Sequence, residues 1–502
     1  MLLLGIDVGT SSVKASVVDA ATQKTLASAH YPDTESEIIS LQPGWAEQSP
    51  GQWWDDVKIT IRKLHATKAY DPADIKAIGI AYQMHGLVIT GEKGEPLRHA
   101  IIWCDSRAVK TGEKAADAIG KKRCRERLLN SPGNFTASKL AWIKKHEPRV
   151  FEQIENVMLP GDYISYKLTG ERCTTIPALS EGMFWDFLKH ELSKDIFEHF
   201  DFRKKMIPAC RDIFGEHGKL NADVAAELSL PVGTPVTYKA GDQPNNAFAL
   251  NVMNPGEVAA SAGTSGVIYA ISDQLYGDKR SRVNSFAHVN HSDKKTRIGV
   301  LLNINGAGIA NSWVRKITGE TAAYKDLDLQ AARVKPGCEG LFFFPFGNGA
   351  ERMLDNRILN AYIYGIDFNR HEPAHVHRAV QEGVAFAFRY GLDIMRENEV
   401  NPSVIRAPKA NLFLSPVFTE AFANSTNTAL ELYETVGSRG AAIGAGLGAG
   451  IYSSHSEAFA QTDPVKIIMP NQSELWNELY HKWKGLLDQQ IKMLGDDTDD
   501  DD

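Results

Sequence analysis

Two segments of this sequence repeat one arrangement of small, hydroxylated residues at the end of an apolar stretch. Asp7-Val8-Gly9-Thr10-Ser11-Ser12 follows Leu2–Ile6, and Gly263-Thr264-Ser265-Gly266 follows Glu257–Ala262. Glycine lets the backbone approach an anion closely, consecutive N–H groups form a nest, and the hydroxyls donate hydrogen bonds, which is chemistry suited to phosphate. Either turn alone is equally well read as a hairpin link. Two of them, about a domain apart, read as a duplicated fold that holds phosphates from both sides, with a chance repeat as the competing account. Asp7 stands where it can hold Mg2+ through water, since hard cations prefer oxygen ligands. Gly241-Asp242 follows the apolar run Pro235–Ala240, which places that carboxylate at a strand end facing a cleft. There it can accept a proton from an attacking hydroxyl during phosphoryl transfer. Locally, a Gly-Asp turn without chemistry is the simpler account, and only the coincidence with the two phosphate turns raises it.

Three other motifs are set aside. His371-Glu372-Pro373-Ala374-His375 matches H-E-x-x-H, but a zinc site needs both histidines on one helical face. Pro373 is best placed as the first residue of a helix, which leaves His371 outside it and Glu372 as a dipole partner. Gly444-Ala445-Gly446-Leu447-Gly448-Ala449 fits a loose dinucleotide fingerprint, yet it follows the small-residue run Gly440–Ala442 and no clear strand. Close helix packing explains it better. Trp53-Trp54 and Phe342-Phe343-Phe344 read as core or interface.

The elements that position these residues follow from hydrophobic patterning. Leu2–Asp7, Val13–Asp19 and Thr25–Tyr31 read as three strands with tight turns, and a helix is expected over 51–68. The strand Ile75–Ala81 ends at Gln83-Met84-His85-Gly86, and mixed helices and loops are expected over 106–230. A second set opens at Pro235–Ala240, then repeats strand, Gly-Thr-Ser turn, strand at 257–272. Further helices are expected from Pro373 to about Glu399 and over Ser473–Leu494. The acidic end (Asp496, Asp497, Asp499–Asp502) reads as a solvated tail.

Length and composition bound the function. A chain of 502 residues holds at least two domains at about 100–200 residues each. Its net charge of −7 argues against nucleic acid or an anionic membrane as the main partner, because both need a basic surface. The five cysteines are scattered, without a C-x-x-C pair, which fits reduced thiols in a cytoplasmic protein. The apolar start runs into Asp7 without a basic segment and reads as a strand and not a signal peptide. No apolar run is long enough to span a bilayer.

The motifs together resemble the FGGY carbohydrate kinases. The resemblance begins at Gly5–Lys14 and continues through Trp45-Ala46-Glu47-Gln48 with Trp53-Trp54, Gln83-Met84-His85-Gly86, and Trp103-Cys104-Asp105-Ser106-Arg107. It runs on through Leu159-Pro160-Gly161-Asp162-Tyr163, Gly241-Asp242, Ala262–Gly266, Gly349-Ala350-Glu351-Arg352 and Gly437–Gly446. The matches occur in order across nearly the whole chain.

The resemblance implies an α/β fold of two actin-like (ribonuclease H-like) domains with an interdomain catalytic cleft. Expected bounds are 1–254 for the sugar-binding domain, 255–455 for the nucleotide-binding domain, and 456–502 for a terminal helix and tail. It implies ATP and Mg2+ as cofactors and a small-molecule sugar as partner, with no nucleic acid and no membrane; a homodimer stays open. Asp242 is implied as general base. Asp7, Thr10, Ser11, Ser12, Lys14, Gly263, Thr264, Ser265 and Gly440 are implied around the nucleotide, and Asp7 with Asp242 around the metal. Gln83, Met84, His85, Trp103, Asp105 and Asp242 are implied around the sugar, with Met84 and His85 similar to family members that phosphorylate D-xylulose. Other ketoses, polyols or sugar acids are the runner-up substrates. A nucleotide-driven conformational switch and a catalytically weak sugar-binding protein are the rivals from other classes. Two departures stand out. Gln243 follows Asp242 where the xylulose-specific members carry Asn, and the counterpart of the family's glycine-rich adenosine loop reads as Leu412–Phe418, without glycine.

Overall fold

The structure is a computed structural model that describes residues 1–319 and 321–494, so the acidic end lies outside the described residues. Two mixed sheets carry the chain, and each opens with the same strand–turn–strand unit. The first comprises β1 (Leu2–Val8), β2 (Val13–Asp19), β3 (Thr25–Tyr31), β4 (Ile75–Tyr82), β5 (Phe214–Lys219) and β6 (Pro235–Gly241), in the order β5-β6-β4-β1-β2-β3. β1, β2 and β3 form an antiparallel meander, while β4 and β6 join β1 in parallel. Leu3, Leu4, Ile6 and Val8 are all fully buried, as expected for a strand covered on both faces.

The register of the parallel strands decides where the chemistry falls. Val8 lies beside Tyr82, and Tyr82 beside Gly241. The Gly9–Ser12 turn, the Gln83-Met84-His85 turn and Asp242 therefore leave one edge of the sheet side by side.

The second sheet comprises β7 (Glu257–Ala262), β8 (Gly266–Ser272), β9 (Asn284–Ala287), β10 (Ile298–Ile304), β11 (Val404–Pro408), β12 (Leu430–Tyr433) and β13 (Lys466–Ile468). Its order is β9-β10-β8-β7-β11-β12-β13, with β11 and β12 parallel to β7 and its neighbour. The core β3-β2-β1-β4-β6 thus recurs as β10-β8-β7-β11-β12, and the expected pair of actin-like α/β domains is what the structure shows.

Helices used below are α1 (Pro50–Ala66), α2 (Thr136–His146), α3 (Ile176–Glu181), α4 (Asp242–Ala249), α5 (Gly308–Ile317), α6 (Pro373–Glu397), α7 (Gly437–Gly448) and α8 (Ser473–Met493). Pro373 is the first residue of α6 and Glu372 its cap, so the H-E-x-x-H histidines do not share a helix. Trp53, Trp54 and the three phenylalanines 342–344 are core. Among the described residues no helix is long and apolar enough to cross a membrane.

The two lobes are interleaved at their C-terminal ends, which differs from the division expected at 255–455 and 456–502. Although α7 follows the last parallel strand of the second sheet, its Ala441, Ala442, Ile443 and Ala445 pack with Leu3, Ala77 and Tyr238 of the first. Glycines on both partners permit this. A Cβ on Gly5 would lie 1.8 Å from the Ser438 carbonyl oxygen, and one on Gly79 2.0 Å from that of Ala441. Helix α8 buries Trp476 and Trp483 against Phe386, with Trp483 also stacked on Phe344, so it belongs to the second lobe's core.

Candidate active site

The first Gly-Thr-Ser turn is closed by the Gly9 N–H donating to the Ser12 carbonyl at 3.1 Å. Around it the sequence-implied residues divide into those that face the cleft and those that hold the turn. The Thr10 hydroxyl donates to Gln83 Oε1 at 3.2 Å and receives the Trp103 indole N–H at 2.9 Å. Gln48 donates to the Thr10 carbonyl at 2.8 Å and accepts from Gln83 at 2.9 Å. Gln83 is therefore a buried brace for the turn, while Trp103, 52% exposed, keeps an open apolar face. Ser11 and Lys14 are exposed and Ser12 half-buried.

Asp7 and Asp242 meet at this edge. Burial raises the Asp7 carboxyl above its ordinary value, against the attraction of Lys14, which stands opposite it in the β1–β2 register. Burial, and then the like charge of Asp7, push Asp242 up to about 7. Asp242 is also the first residue of α4, where the helix dipole favours a negative charge. Opposite them, the Gly437 that opens α7 lets the Asp7 carboxylate pack directly against its backbone: a Cβ there would lie 2.4 Å from Asp7 Oδ2. Two carboxylates that repel each other without a cation fit Mg2+, which takes one or two carboxylates and keeps several waters. The described residues contain no cluster of three or more His, Cys, Asp or Glu side chains that would form a dedicated metal cage.

At the neighbouring turn, Met84 is buried against Gly241, where a Cβ would lie 2.6 Å from Met84 Cγ. His85 takes φ 60° and its ring sits 4.8 Å from Phe135 and 5.1 Å from Phe286, the latter contributed by the second lobe. Its Nδ1 lies 3.1 Å from the Glu181 carbonyl oxygen. A carbonyl only accepts, so Nδ1 carries the proton and Nε2 is left as an acceptor. Burial pushes this imidazole down to about 3, which keeps it neutral.

Two expectations are corrected. Asp105 is not an open acceptor for sugar hydroxyls: it is fully buried, accepts the Ala46 N–H at 2.6 Å, and is gripped by Arg107 through Nε and Nη2 at 2.7–3.0 Å. Gly440 does not face the nucleotide side; it is buried between α7 and α4, where a Cβ would lie 2.6 Å from Ala249 Cβ.

The second Gly-Thr-Ser turn is held through its carbonyls. Gly308 N–H donates to Gly263 at 2.8 Å and Ile309 N–H to Thr264 at 3.1 Å, which seats the turn on the start of α5. Thr264 is exposed, Gly263 and Ser265 half-exposed, and among the described residues the Thr264 and Ser265 hydroxyls have no hydrogen-bond partner. The stretch Leu412–Phe418 is not the loop that follows the strand. β11 ends at Pro408, so the post-strand segment is Lys409-Ala410-Asn411, and Leu412 and Phe413 are core. That segment also lacks glycine, and Asn411 approaches Gly263.

Four further residues at the site have no role assigned from the sequence. Glu181 is 2% exposed, lies near Tyr82 and Asp242, and burial raises its carboxyl well above the usual range. Lys139 is fully buried beneath His85. From the second lobe, Phe286 packs on His85, and Arg352 is held by Asn284 at 2.6 Å close enough to act on the His85 ring. Arg352 and its neighbour Glu351 lay inside a quoted motif, and that motif was the available signal. Isolated buried residues such as Lys139 and Glu181 offered none.

The N-terminal domain model of the FGGY family of carbohydrate kinases matches residues 2–249 and its C-terminal domain model residues 258–451. The chain is 30% identical over 406 residues to a xylulose kinase of Klebsiella pneumoniae, covering 80% of this chain and 81% of that protein. It is 29% identical over 445 residues to the xylulose kinase of Escherichia coli K12, covering 88% of each. A crystal structure of xylulose kinase from Rhodospirillum rubrum superposes with a TM-score of 0.85 at 25% identity, covering 97% of this chain and 99% of that one.

Proposed function

The chain belongs to the FGGY family of carbohydrate kinases, and we propose that within it the enzyme phosphorylates D-xylulose with ATP, giving D-xylulose 5-phosphate and ADP. The observation that carries this reading is that Asp242, the Met84-His85 turn and the Gly9–Ser12 turn leave one edge of the first sheet side by side. A sugar standing on Met84 and Trp103, with a hydroxyl donating to His85 Nε2, presents its terminal hydroxyl to Asp242. Asp242 takes the hydroxyl proton, the sugar oxygen bonds to the γ-phosphorus in line, and the bond to the ADP oxygen breaks. Thr10, Ser11 and Ser12 hold the phosphates from one side and Gly263, Thr264 and Ser265 from the other, so most of the rate comes from alignment and charge neutralisation. Asp7 and Asp242 would hold Mg2+, which supplies positive charge to the phosphate oxygens.

Both lobes wall the sugar pocket through the His85–Phe135–Phe286 cluster, which excludes water that would otherwise accept the phosphoryl group. Five unpaired cysteines and a need for ATP suit the cytoplasm. The test is a panel of pentuloses, hexuloses, polyols and sugar acids in a coupled ADP-release assay with Mg2+. The reading expects the highest kcat/KM with D-xylulose. A higher value with a polyol or a sugar acid would overturn the substrate, and ADP release indifferent to every sugar would overturn the transfer.

A further inference from the structure

Lys139 lies on α2 with its side chain fully buried. Its ammonium donates to the carbonyl oxygen of His85 at 2.8 Å and to that of Ile102 at 3.0 Å. One carbonyl belongs to the Met84-His85 turn and the other immediately precedes Trp103, so a single side chain joins the two segments that present apolar faces to the sugar. His85 needs such support, because a left-handed φ of 60° is unfavourable for a residue with a Cβ and persists only where the surroundings hold it. Its other tie is the Nδ1 bond to the Glu181 carbonyl.

The choice of lysine here is costly. Burying an ammonium costs several kcal/mol before compensation, and burial accordingly pushes Lys139 down to about 7. Asp105, Cys104 and Glu181 draw it up again, while Arg107 opposes them. A leucine or methionine would fill the same space without that cost, so what lysine adds is its N–H donors.

We propose that Lys139 is a positioning residue that ties the Met84-His85 turn to the Trp103 turn and so fixes the width of the sugar pocket. The inference rests on the pocket assignment in the preceding subsection. It deepens that assignment, because the kinase then selects sugars by the spacing of two turns as well as by the side chains on them.

The test uses Lys139→Met, which keeps length and apolar bulk without donors, and Lys139→Gln, which keeps two N–H donors without charge. With the best sugar of the panel, Lys139→Met should raise sugar KM by about tenfold or more, the loss of roughly one well-made buried hydrogen bond to a charged donor. The KM for ATP should stay within about twofold, and Lys139→Gln should recover part of the sugar affinity. A sugar KM unchanged in folded Lys139→Met, or an equal rise in both KM values, overturns the tie. Hydrogen exchange separates this outcome from a failure of the kinase reading. In ligand-free Lys139→Met, amides 84–87 and 103–106 should exchange faster together, whereas loosening of one turn alone overturns the tie whatever the substrate. In the unmodified chain the same two segments should slow together on adding sugar, and independent responses overturn it even where neither variant folds.

Discussion

The two Gly-Thr-Ser turns share a strand–turn–strand geometry and differ in what surrounds them. At the first turn the Thr10 hydroxyl is engaged by Gln83 and Trp103, and its carbonyl by Gln48. Asp7 precedes it, and Asp242 leaves the same sheet edge. At the second turn the position matching Asp7 is Ser261, the hydroxyls are free among the described residues, and only backbone carbonyls are tied down, by α5. A duplicated unit has thus specialised. On the proposed reading the first copy, tied to Gln83 and Trp103, would carry the acid–base and metal chemistry, and the second, with its hydroxyls open, would receive phosphate.

The sharpest way to break this comparison is to remove the carboxylate that stands beside Asp7 at the first lobe's sheet edge. Asp242→Asn keeps the shape and the helix start but cannot take a proton, so kcat should fall by about 10²–10⁴-fold with little change in sugar KM. Turnover near that of the parent in a steady-state assay would mean that the two lobes are chemically equivalent and that the base lies elsewhere.

The next test sets one turn against the other. Thr264→Val removes a hydroxyl whose only proposed partner is a phosphate, and the KM for ATP should rise about tenfold with sugar KM unchanged, the usual size of a lost bond to a charged group. Thr10→Val should raise both KM values, because that hydroxyl also anchors Gln83 and Trp103. Identical signatures from the two variants would erase the claimed specialisation.

A titration sharpens the electrostatic half of the contrast. In metal-free protein, the Asp242 carboxyl followed by carbon-13 resonance should titrate near 7, since burial and Asp7 both disfavour its charge. Asp7→Asn removes the like charge and should move that midpoint to lower pH. The same shift bears on stability. A carboxyl whose folded value is raised binds more protons when folded than when unfolded, so acting alone it lowers stability as pH rises from about 4 towards 7. An ordinary midpoint near 4 for Asp242 would remove the like-charge argument for a cation between the two carboxylates.

Much of this was legible because it is local. β1, β2 and both Gly-Thr-Ser turns are written in consecutive residues, as apolar runs bounded by small turn residues. Pro373 announced the start of α6 just as plainly. The errors arose where meaning depends on contacts between distant segments. Asp105 looked like a free acceptor because the turn that brings Arg107 and the Ala46 N–H onto it has no signature in a sequence. The expected adenosine loop was displaced to Leu412–Phe418 because the end of β11 at Pro408 was not visible without the β12 register, in which Pro408 pairs with Tyr433. Lys139 and Glu181 were unreadable for the same reason: their roles come from what buries them.

Two glycines give the last and smallest test, one at the second turn and one on α7 where it packs against α4. Gly440 was grouped with the nucleotide residues, yet a Cβ there would press within 2.6 Å of Ala249 Cβ and 3.2 Å of the Asn245 carbonyl oxygen, inside a packed helix contact. Gly440→Ala should therefore cost about 1–3 kcal/mol for overpacking, partly offset by up to ~1 kcal/mol of helix propensity. The expected result is a thermal midpoint lower by a few degrees with the KM for ATP unmoved. Gly263→Ala is the converse case, because its Cβ would meet Asn411 Nδ2 at 3.6 Å and the Ser265 carbonyl oxygen at 3.9 Å, both ordinary contacts. It should leave the melting curve alone and weaken ATP, since the added methyl group keeps an anion from the backbone nest. If Gly440→Ala instead weakened ATP without lowering the midpoint, α7 would be part of the nucleotide site, and the boundary drawn between cradle and scaffold would have to move.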